Sequence, residues 1–226
     1  MNQLFGARIR AVACLSLALA GGHQALAANL IQNGSFESNS LSGAYCYQGA
    51  SCTASSWSAG VPTDSFVLIN AASAAWGFPG SLASATTLVD GQFVLGLQGP
   101  VSSVGQSLTL DAGTYTLSWA DANRAGSYPT AQTYSVSFAG AALGSAFSTQ
   151  AGAGWQSRQL TFTLAQATSG VLLFDGQVYA DATTFLDNVS LTRVNSGVVA
   201  AVPEPQTYAL MVACLAVVGW VSRRRA

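Results

Sequence analysis

The middle of the chain alternates apolar and polar residues with a period of two. In the segment Gly113–Trp119, Tyr115, Leu117 and Trp119 fall on one face, and threonine and serine residues fall on the other. This period, together with many aromatic and β-branched residues, is typical of half-buried antiparallel strands. The same period predicts strands at residues 134–138 and 160–164. Residues 93–97, 106–110 and 171–174 are predicted as further strands, the last apolar on both faces and therefore central.

Short turn signals separate these predicted strands. Asp90-Gly91, Asp111-Ala112-Gly113 and Asp175-Gly176 combine residues that favour tight turns. No segment between them has the period of a helix, and we find no internal repeat. The sequence therefore predicts an all-β fold, an antiparallel β-sandwich or jelly roll, rather than alternating strands and helices.

The N-terminal residues 1–27 have a different pattern. Arg8 and Arg10 precede an apolar stretch at residues 11–20, and the small residues Ala25 and Ala27 follow it. A basic start, an apolar middle and a small-x-small end are typical of a secretory signal peptide, which signal peptidase removes. We therefore exclude this segment from the fold.

The C-terminal end carries an apolar run at residues 208–221, followed by an arginine cluster. A membrane-spanning helix needs roughly 20 apolar residues, and positive residues mark its cytoplasmic end. The alternative, a buried core helix, would show polar positions at the helical period. We predict a membrane helix here, and we divide the chain into a signal peptide (1–27), a domain (28–195), a linker (196–202) and a C-terminal sorting segment (203–226).

The predicted mature region, residues 28–202, is acidic and has few charges. Its three arginines and eight carboxylates give a formal charge of −5, and the chain contains no lysine. Such a surface argues against a nucleic-acid partner, because phosphates require clustered basic residues. It suits neutral hydrogen-bonding partners or calcium.

Two of the four cysteines, Cys46 and Cys52, lie in the predicted domain. In an oxidising compartment, two nearby cysteines indicate a disulfide that closes a short loop. A metal-binding pair is the alternative, but further cysteine or histidine ligands are missing. We expect the bridge to shape the loop that carries Tyr45 and Tyr47.

The C-terminal segment resembles the PEP-CTERM sorting signal of Gram-negative bacteria. The resemblance rests on a Pro-Glu-Pro motif, the apolar run and the arginine cluster, in this order. It implies that the chain is an exported protein, which an exosortase processes at the inner membrane and which then reaches the cell surface or the extracellular matrix. The motif residues are Pro203, Glu204, Pro205, Arg223, Arg224 and Arg225.

The edges of the domain resemble a second family, the galactose-binding-like jelly rolls found in many carbohydrate-binding modules. Residues 29–37 and 185–191 resemble the first and last strands of this family, and residues 113–119 resemble its central strand. The resemblance implies that the first and last strands are neighbours. It also implies a structural calcium ion held by Glu37 and Asp187, although both could be ordinary solvated acids.

Carbohydrate is the predicted ligand class. Sugar sites combine aromatic faces with amide and carboxylate groups, and binding residues usually lie in loops or at strand ends. Trp57 and Trp155 are expected to belong to the core instead. The candidate sugar-binding residues are Tyr45, Tyr47, Trp76, Phe78, Arg124 and Tyr128.

Catalysis is the least favoured class. The one histidine, His23, lies in the signal peptide, so the mature protein lacks a serine–histidine–aspartate triad. A pair of acids could hydrolyse glycosides, but the sequence does not single out such a pair. We expect a non-catalytic module that binds extracellular polysaccharide. The alternative is a purely structural or adhesive matrix protein without a defined sugar ligand.

Overall fold

A computed structural model describes residues 28–48, 52–60, 66–72, 76, 89–99, 102–124, 130–178, 181–194 and 223–224. Each of the six predicted strands is present in these ranges. The strands are β1 (Tyr45–Tyr47), β2 (Val67–Asn70), β3 (Phe93–Gln98), β4 (Ser103–Leu110), β5 (Gly113–Asn123), β6 (Gln132–Phe138), β7 (Ala141–Ala142), β8 (Phe147–Thr149), β9 (Gln156–Leu164), β10 (Thr168–Gly176) and β11 (Thr183–Arg193).

The strands form two antiparallel sheets. The first has the order β1-β2-β3-β11-β5-β9, and the second has the order β4-β10-β6-β7, with β8 also paired to β6. From β3 onward the chain crosses repeatedly between the sheets, so that β3, β5, β9 and β11 lie in one sheet and β4, β6 and β10 in the other. The predicted antiparallel β-sandwich is thus confirmed.

The interior between the sheets is filled by the apolar positions of the alternating pattern. Tyr115, Leu117 and Trp119 of β5 are buried there against Tyr134 and Phe174 of the second sheet. The serine and threonine residues between them face outward. The period of two in the sequence is therefore the direct cause of the two-layer fold.

The six-stranded sheet also buries much of its other face. We call this side, which is turned away from the second sheet, the outer face. Trp155 is half-buried on it and packs against Phe185, with ring centroids 6.4 Å apart. Trp57 lies in the interior and is 4% exposed, which confirms it as a core residue. The outer-face cluster contains Val67, Ile69, Trp76, Val94, Ala122 and Phe185.

Residues 29–37 do not form the predicted first strand. Asn33 (φ 52°) and Phe36 (φ 60°) adopt left-handed conformations, which interrupt an extended chain. The segment still runs beside β11, because the Val189 N–H donates to the Gly34 carbonyl at 2.9 Å. A side chain at Gly34 would collide with the Val189 backbone, so this close approach requires glycine.

The predicted disulfide between Cys46 and Cys52 is present, with the two Cα atoms 6.2 Å apart. Cys46 is the middle residue of β1, and its side chain is buried. Since neighbouring side chains of a strand point to opposite faces, Tyr45 and Tyr47 are turned to the outer face. The bridge therefore helps to fix the orientation of both tyrosines.

A polar network crosses the interior near one end of the sandwich. The Tyr134 hydroxyl accepts a hydrogen bond from Trp119 Nε1 at 2.7 Å and donates one to Asp121 Oδ2, also at 2.7 Å. Arg158 Nε donates to the same carboxylate at 2.9 Å. Burial raises the pKa of Tyr134, and the Asp121 carboxylate raises it further. Tyr134 is therefore a neutral hydrogen-bond bridge between the two sheets.

Replacing Tyr134 with phenylalanine should destabilise the sandwich by about 1–3 kcal/mol, because it leaves a buried indole N–H and a carboxylate oxygen without this partner. Tyr115→Phe is the matched control, since it removes one part-buried hydrogen bond to the Asp111 carbonyl and should cost about 0.5–1.5 kcal/mol. Urea unfolding measures both free energies. If both variants lost the same free energy of unfolding, the bridging role of Tyr134 would be contradicted.

Candidate functional site

Tyr45 and Tyr47 stand side by side at the edge of the outer face. They are 46% and 40% exposed, and among the described aromatic residues they are the ones that are largely open to solvent. Their rings meet edge to face, with centroids 6.2 Å apart. A pair of exposed aromatic rings held by a rigid strand is a surface on which a flat apolar group can pack.

Trp76 and Arg124 lie against this pair. The Tyr45 and Trp76 ring centroids are 5.3 Å apart, and the Arg124 guanidinium carbon is 4.6 Å from the centre of the Trp76 ring. Trp76 is 4% exposed, so its ring supports Tyr45 and Arg124 instead of offering an open face. The structure thus brings together four of the six predicted sugar-binding residues. The other two, Phe78 and Tyr128, lie outside the described residues.

A chain of polar contacts continues from Tyr47. Its hydroxyl donates to Gln98 Oε1 at 2.6 Å, and Gln98 Nε2 donates to Asp181 Oδ1 at 2.5 Å. Arg124 Nη1 lies 3.5 Å from the same Asp181 oxygen. The arrangement places amide, carboxylate and guanidinium groups next to exposed rings. We call this group of residues the tyrosine patch: Tyr45, Tyr47, Trp76, Gln98, Arg124 and Asp181.

Sheet order brings the members of the patch together. β11 pairs with β3 on one side and with β5 on the other, and Thr183 lies opposite Gln98 in the β3 register. Asp181 lies two residues before the start of β11, and Arg124 immediately follows β5. Sequence reasoning missed Gln98 and Asp181. The alternation of β3 could have indicated that Gln98 faces outward, but no local signal marks Asp181.

Thr183 adds an unsatisfied polar atom beside the patch. Its side chain is fully buried, and its hydroxyl oxygen has no hydrogen-bond partner among the described residues. Most buried polar groups in proteins are hydrogen-bonded, so such an atom is uncommon. It lies on the same face as its register partner Gln98, where a further polar group could satisfy it.

The phenol of Tyr47 stays protonated in this environment. Burial raises its pKa above the ordinary value, and the neighbouring Tyr45 and Asp181 add to the increase, while Arg124 opposes it. Tyr47 therefore remains a hydrogen-bond donor at neutral and moderately alkaline pH.

Glu37 and Asp187, the predicted calcium ligands, converge on the same turn. Glu37 Oε1 accepts hydrogen bonds from the backbone N–H groups of Gln92 at 2.8 Å and Phe93 at 2.7 Å. Asp187 Oδ2 accepts one from the backbone N–H of Asp90 at 2.9 Å. The turn before β3 therefore joins two carboxylates that are far apart in the sequence.

Asp187 is fully buried, at a bulge in β11. Burial raises the pKa of its carboxyl to about 8, and the charges of Asp90 and Glu37 contribute to the increase. The backbone N–H groups of Asp90 and Asn188 act in the opposite direction. A buried carboxylate among like charges is the situation that a bound cation relieves.

The predicted calcium site has two of its expected ligands, Glu37 and Asp187, among the described residues. They contain no group of three or more histidine, cysteine, aspartate or glutamate side chains suited to a metal ion. Calcium takes six to eight oxygen ligands, and backbone carbonyls often provide several of them. In a site of that kind, Glu37 and Asp187 would be the charged ligands, and carbonyl oxygens or water would have to supply the others.

The sorting segment lies mostly outside the described residues. Arg223 and Arg224 are described and exposed, whereas Pro203, Glu204, Pro205, Arg225 and the apolar run at residues 208–221 are not. No helix in the described part of the chain has the length and apolar character needed to cross a membrane.

Comparison with known proteins identifies the C-terminal end. Residues 201–225 match the PEP-CTERM protein-sorting motif, so the chain carries this motif. No curated protein is a significant match to the chain.

Several solved structures are similar to the sandwich. The CBM22-1 xylan-binding domain of Paenibacillus barcinonensis Xyn10C has 18% identity and a TM-score of 0.43, covering 64% of this chain and 90% of that domain. The CBM22-1-CBM22-2 tandem domain of the same protein has 15% identity and a TM-score of 0.44, covering 79% of this chain and 48% of the tandem domain. TmCBM61, in complex with β-1,4-galactotriose, has 15% identity and a TM-score of 0.38, covering 74% of this chain and 99% of TmCBM61. The function proposed for this chain rests on its own site geometry.

The pKa of Asp187 predicts that the metal-free protein loses stability as the pH rises. Its folded pKa of about 8 exceeds the ordinary value of 3.8, so folding favours the protonated form. The stabilisation is complete below the unfolded pKa and is lost as the pH rises towards about 8. Thermal unfolding between pH 4 and pH 9, with a chelator present, measures this slope. Asp187→Asn should reduce the dependence of stability on pH, whatever the absolute stability of the variant. An equal slope in both proteins would show that Asp187 is not the group responsible.

Proposed function

We propose that the β-sandwich is a non-catalytic module that binds extracellular polysaccharide through the tyrosine patch. The PEP-CTERM motif at residues 201–225 indicates an exported protein sorted by an exosortase. We infer that signal peptidase removes residues 1–27 and that the apolar helix 208–221 anchors an intermediate in the inner membrane of a Gram-negative bacterium. Exosortase processing near Pro203–Pro205 would then deliver the domain to the cell surface or matrix.

One observation carries the sugar-binding proposal: two exposed tyrosines lie beside a row of fixed polar groups. Sugar rings present apolar C–H patches that pack on aromatic faces, and their hydroxyls hydrogen-bond to amides and carboxylates. Tyr45 and Tyr47 provide the rings, and Gln98 and Asp181 provide the polar atoms. Both kinds of group occur within one small surface.

The charge of the patch favours a neutral polysaccharide. Arg124 lies beside Asp181 and over the Trp76 ring, so its charge is already paired inside the patch. The predicted mature region has a formal charge of −5 and would repel an acidic chain. Hydrogen bonding and ring contacts, rather than ion pairs, should therefore provide the affinity.

We also propose that a calcium ion stabilises the domain at Glu37 and Asp187. The two carboxylates share one turn, and the raised pKa of Asp187 reflects the cost of ionising a buried carboxyl near other acids. A divalent cation there would neutralise these charges and would tie the 29–37 segment to β11. This role is structural and lies apart from the tyrosine patch.

A structural or adhesive matrix role is the second candidate. Rows of hydroxyl side chains occupy outward positions on β5 and β9, and Thr114 and Thr163 contact each other at 3.0 Å. A hydroxyl-covered surface can adhere without a defined sugar site. A glycan hydrolase ranks third, because it would require two carboxylates facing each other across a cleft.

The sugar-binding proposal predicts saturable binding of neutral polysaccharide by the purified segment 28–195. Tyr45→Ala and Tyr47→Ala should each weaken binding about tenfold, or about 1.4 kcal/mol, because each removes a ring from the contact surface. Isothermal titration against a panel of neutral and acidic polysaccharides measures the affinities. Val171→Ala is the matched control, since Val171 is equally exposed (39%) but lies in the other sheet. Failure to bind any glycan, with the domain folded, would favour the structural role.

The calcium proposal predicts that calcium raises the melting temperature by several degrees relative to the chelated protein, because a ligand that binds only the folded state stabilises it. Glu37→Gln and Asp187→Asn should each abolish this increase. Asp111→Asn is the control, because Asp111 is an exposed acid away from the turn. The same melting temperature with calcium and with chelator would exclude the site.

A further inference from the structure

Strand β9 leaves one long edge of the sandwich open. It spans nine residues at the end of the six-stranded sheet, with β5 on one side and no described strand on the other. Its outward-facing side chains are exposed, so no other described part of the chain covers them. These side chains are Ser157, Gln159, Thr161 and Thr163.

The direction of the backbone bonds identifies the free groups on this edge. The Thr114 carbonyl accepts a hydrogen bond from the Val194 N–H at 2.8 Å. The backbone N–H and C=O groups of Thr114, and of every second residue after it in β5, therefore point away from β9. The backbone groups of Tyr115, and of every second residue after it, therefore point towards β9, where Phe162 is the partner of Tyr115. Backbone polar groups alternate sides along a strand together with the side chains. The backbone N–H and C=O groups that point to the open edge therefore belong to the residues with outward side chains, which are Ser157, Gln159, Thr161 and Thr163.

The edge lacks the usual protection against pairing. Exposed edge strands normally carry lysine, proline or a bulge, which blocks the addition of another strand. Residues 156–164 contain no lysine, proline or glycine. An inward-pointing charge can also protect an edge, but the one charge here, Arg158, is paired with Asp121 of the same sandwich. The open edge is therefore uncharged and fully able to pair.

The inner side of the edge is apolar and incompletely covered. Leu160, Phe162 and Leu164 pack against the core but are only partly buried. Phe162 stacks on Tyr115, with ring centroids 5.6 Å apart. A strand added beside β9 would cover this apolar row and would satisfy the free backbone groups at the same time.

We propose that β9 pairs antiparallel with β9 of a second copy of this chain, which joins two sandwiches into one continuous sheet. The strand is centred on Leu160, so full overlap places Leu160 of both copies at the twofold axis. In this register Gln159 faces Thr161 of the second copy, and Ser157 faces its Thr163. All four residues with free backbone groups then form hydrogen-bonded pairs, and no like charges meet.

A second copy fits this edge better than an unrelated strand for a geometric reason. The pattern of free groups is symmetric about Leu160, so one surface complements itself under a twofold rotation. The rotation also places the outer faces of both copies on the same side of the joined sheet. If the tyrosine patch binds sugar, the two patches would face the same polysaccharide, but the pairing itself does not depend on that function.

The test is the mass of the segment 28–195 in solution. The described members of both apolar clusters lie at positions 31–191, so the segment 28–195 retains both clusters. Sedimentation analysis should give a dimer that dissociates on dilution. Thr161→Lys should weaken dimerisation at least tenfold, because it places a charge on the open edge. Thr116→Lys is the matched control, since Thr116 lies opposite Thr161 on the same face but within the sheet, and it should remain dimeric.

A cross-link tests the register. Leu160→Cys should give a covalent dimer under oxidising conditions, because the two introduced sulfur atoms would meet at the twofold axis. Gln166→Cys, in the exposed turn after β9, should not, because the two copies of this position lie far apart. The pairing would be overturned if the segment stayed monomeric at every concentration. It would also be overturned if Thr161→Lys and Thr116→Lys had the same effect on the mass in solution. Equal cross-linking of both cysteine variants would overturn the register.

Discussion

The insertion of β11 between β3 and β5 is the interaction on which the rest of the structure depends. This last strand pairs with residues 95–98 on one side and with residues 115–123 on the other. It closes the six-stranded sheet and carries Asp187 to the turn before β3. It also places Asp181 between Gln98 and Arg124. Both candidate sites are therefore consequences of one strand pairing, and neither exists in the chain until the C-terminal strand of the domain is in place.

The six-stranded sheet is unusual because both of its faces are largely buried near β2, β3 and β11. The interior face packs against the second sheet, and the outer face carries an apolar cluster under Trp76. Regions with many buried contacts and few exposed backbone hydrogen bonds open rarely, so burial on both sides makes this part of the sheet rigid. The tyrosine patch stands at its margin, where Tyr45 and Tyr47 leave the apolar cluster and reach solvent. A rigid base with an exposed aromatic rim holds binding groups in place before a ligand arrives.

The few charges of the domain are mostly paired. Arg158, Arg124 and Arg193 lie 2.9, 3.5 and 4.0 Å from Asp121, Asp181 and Asp111, respectively. The pair of Arg158 with buried Asp121 belongs to a hydrogen-bonded network, whereas the pair of Arg193 with Asp111 is exposed and contributes little to stability. The acids around Asp187 form no ion pair within the part of the chain that the structure describes. Glu37, Asp90 and Asp187 meet at the turn before β3, which is the reason for proposing a cation there.

The sequence by itself determined the strands with strict alternation, the sandwich, the disulfide and the sorting motif, because each depends on local spacing or composition. It also selected Tyr45, Tyr47, Trp76 and Arg124, which the fold brings together. It did not predict that residues 29–37 are irregular, since positive φ angles at Asn33 and Phe36 follow from packing against β11. Gln98 and Asp181 were missed because their roles arise from sheet order. Only the tertiary structure decided which residues meet, because strands distant in sequence become neighbours through long-range backbone pairing, which leaves no local pattern in the chain.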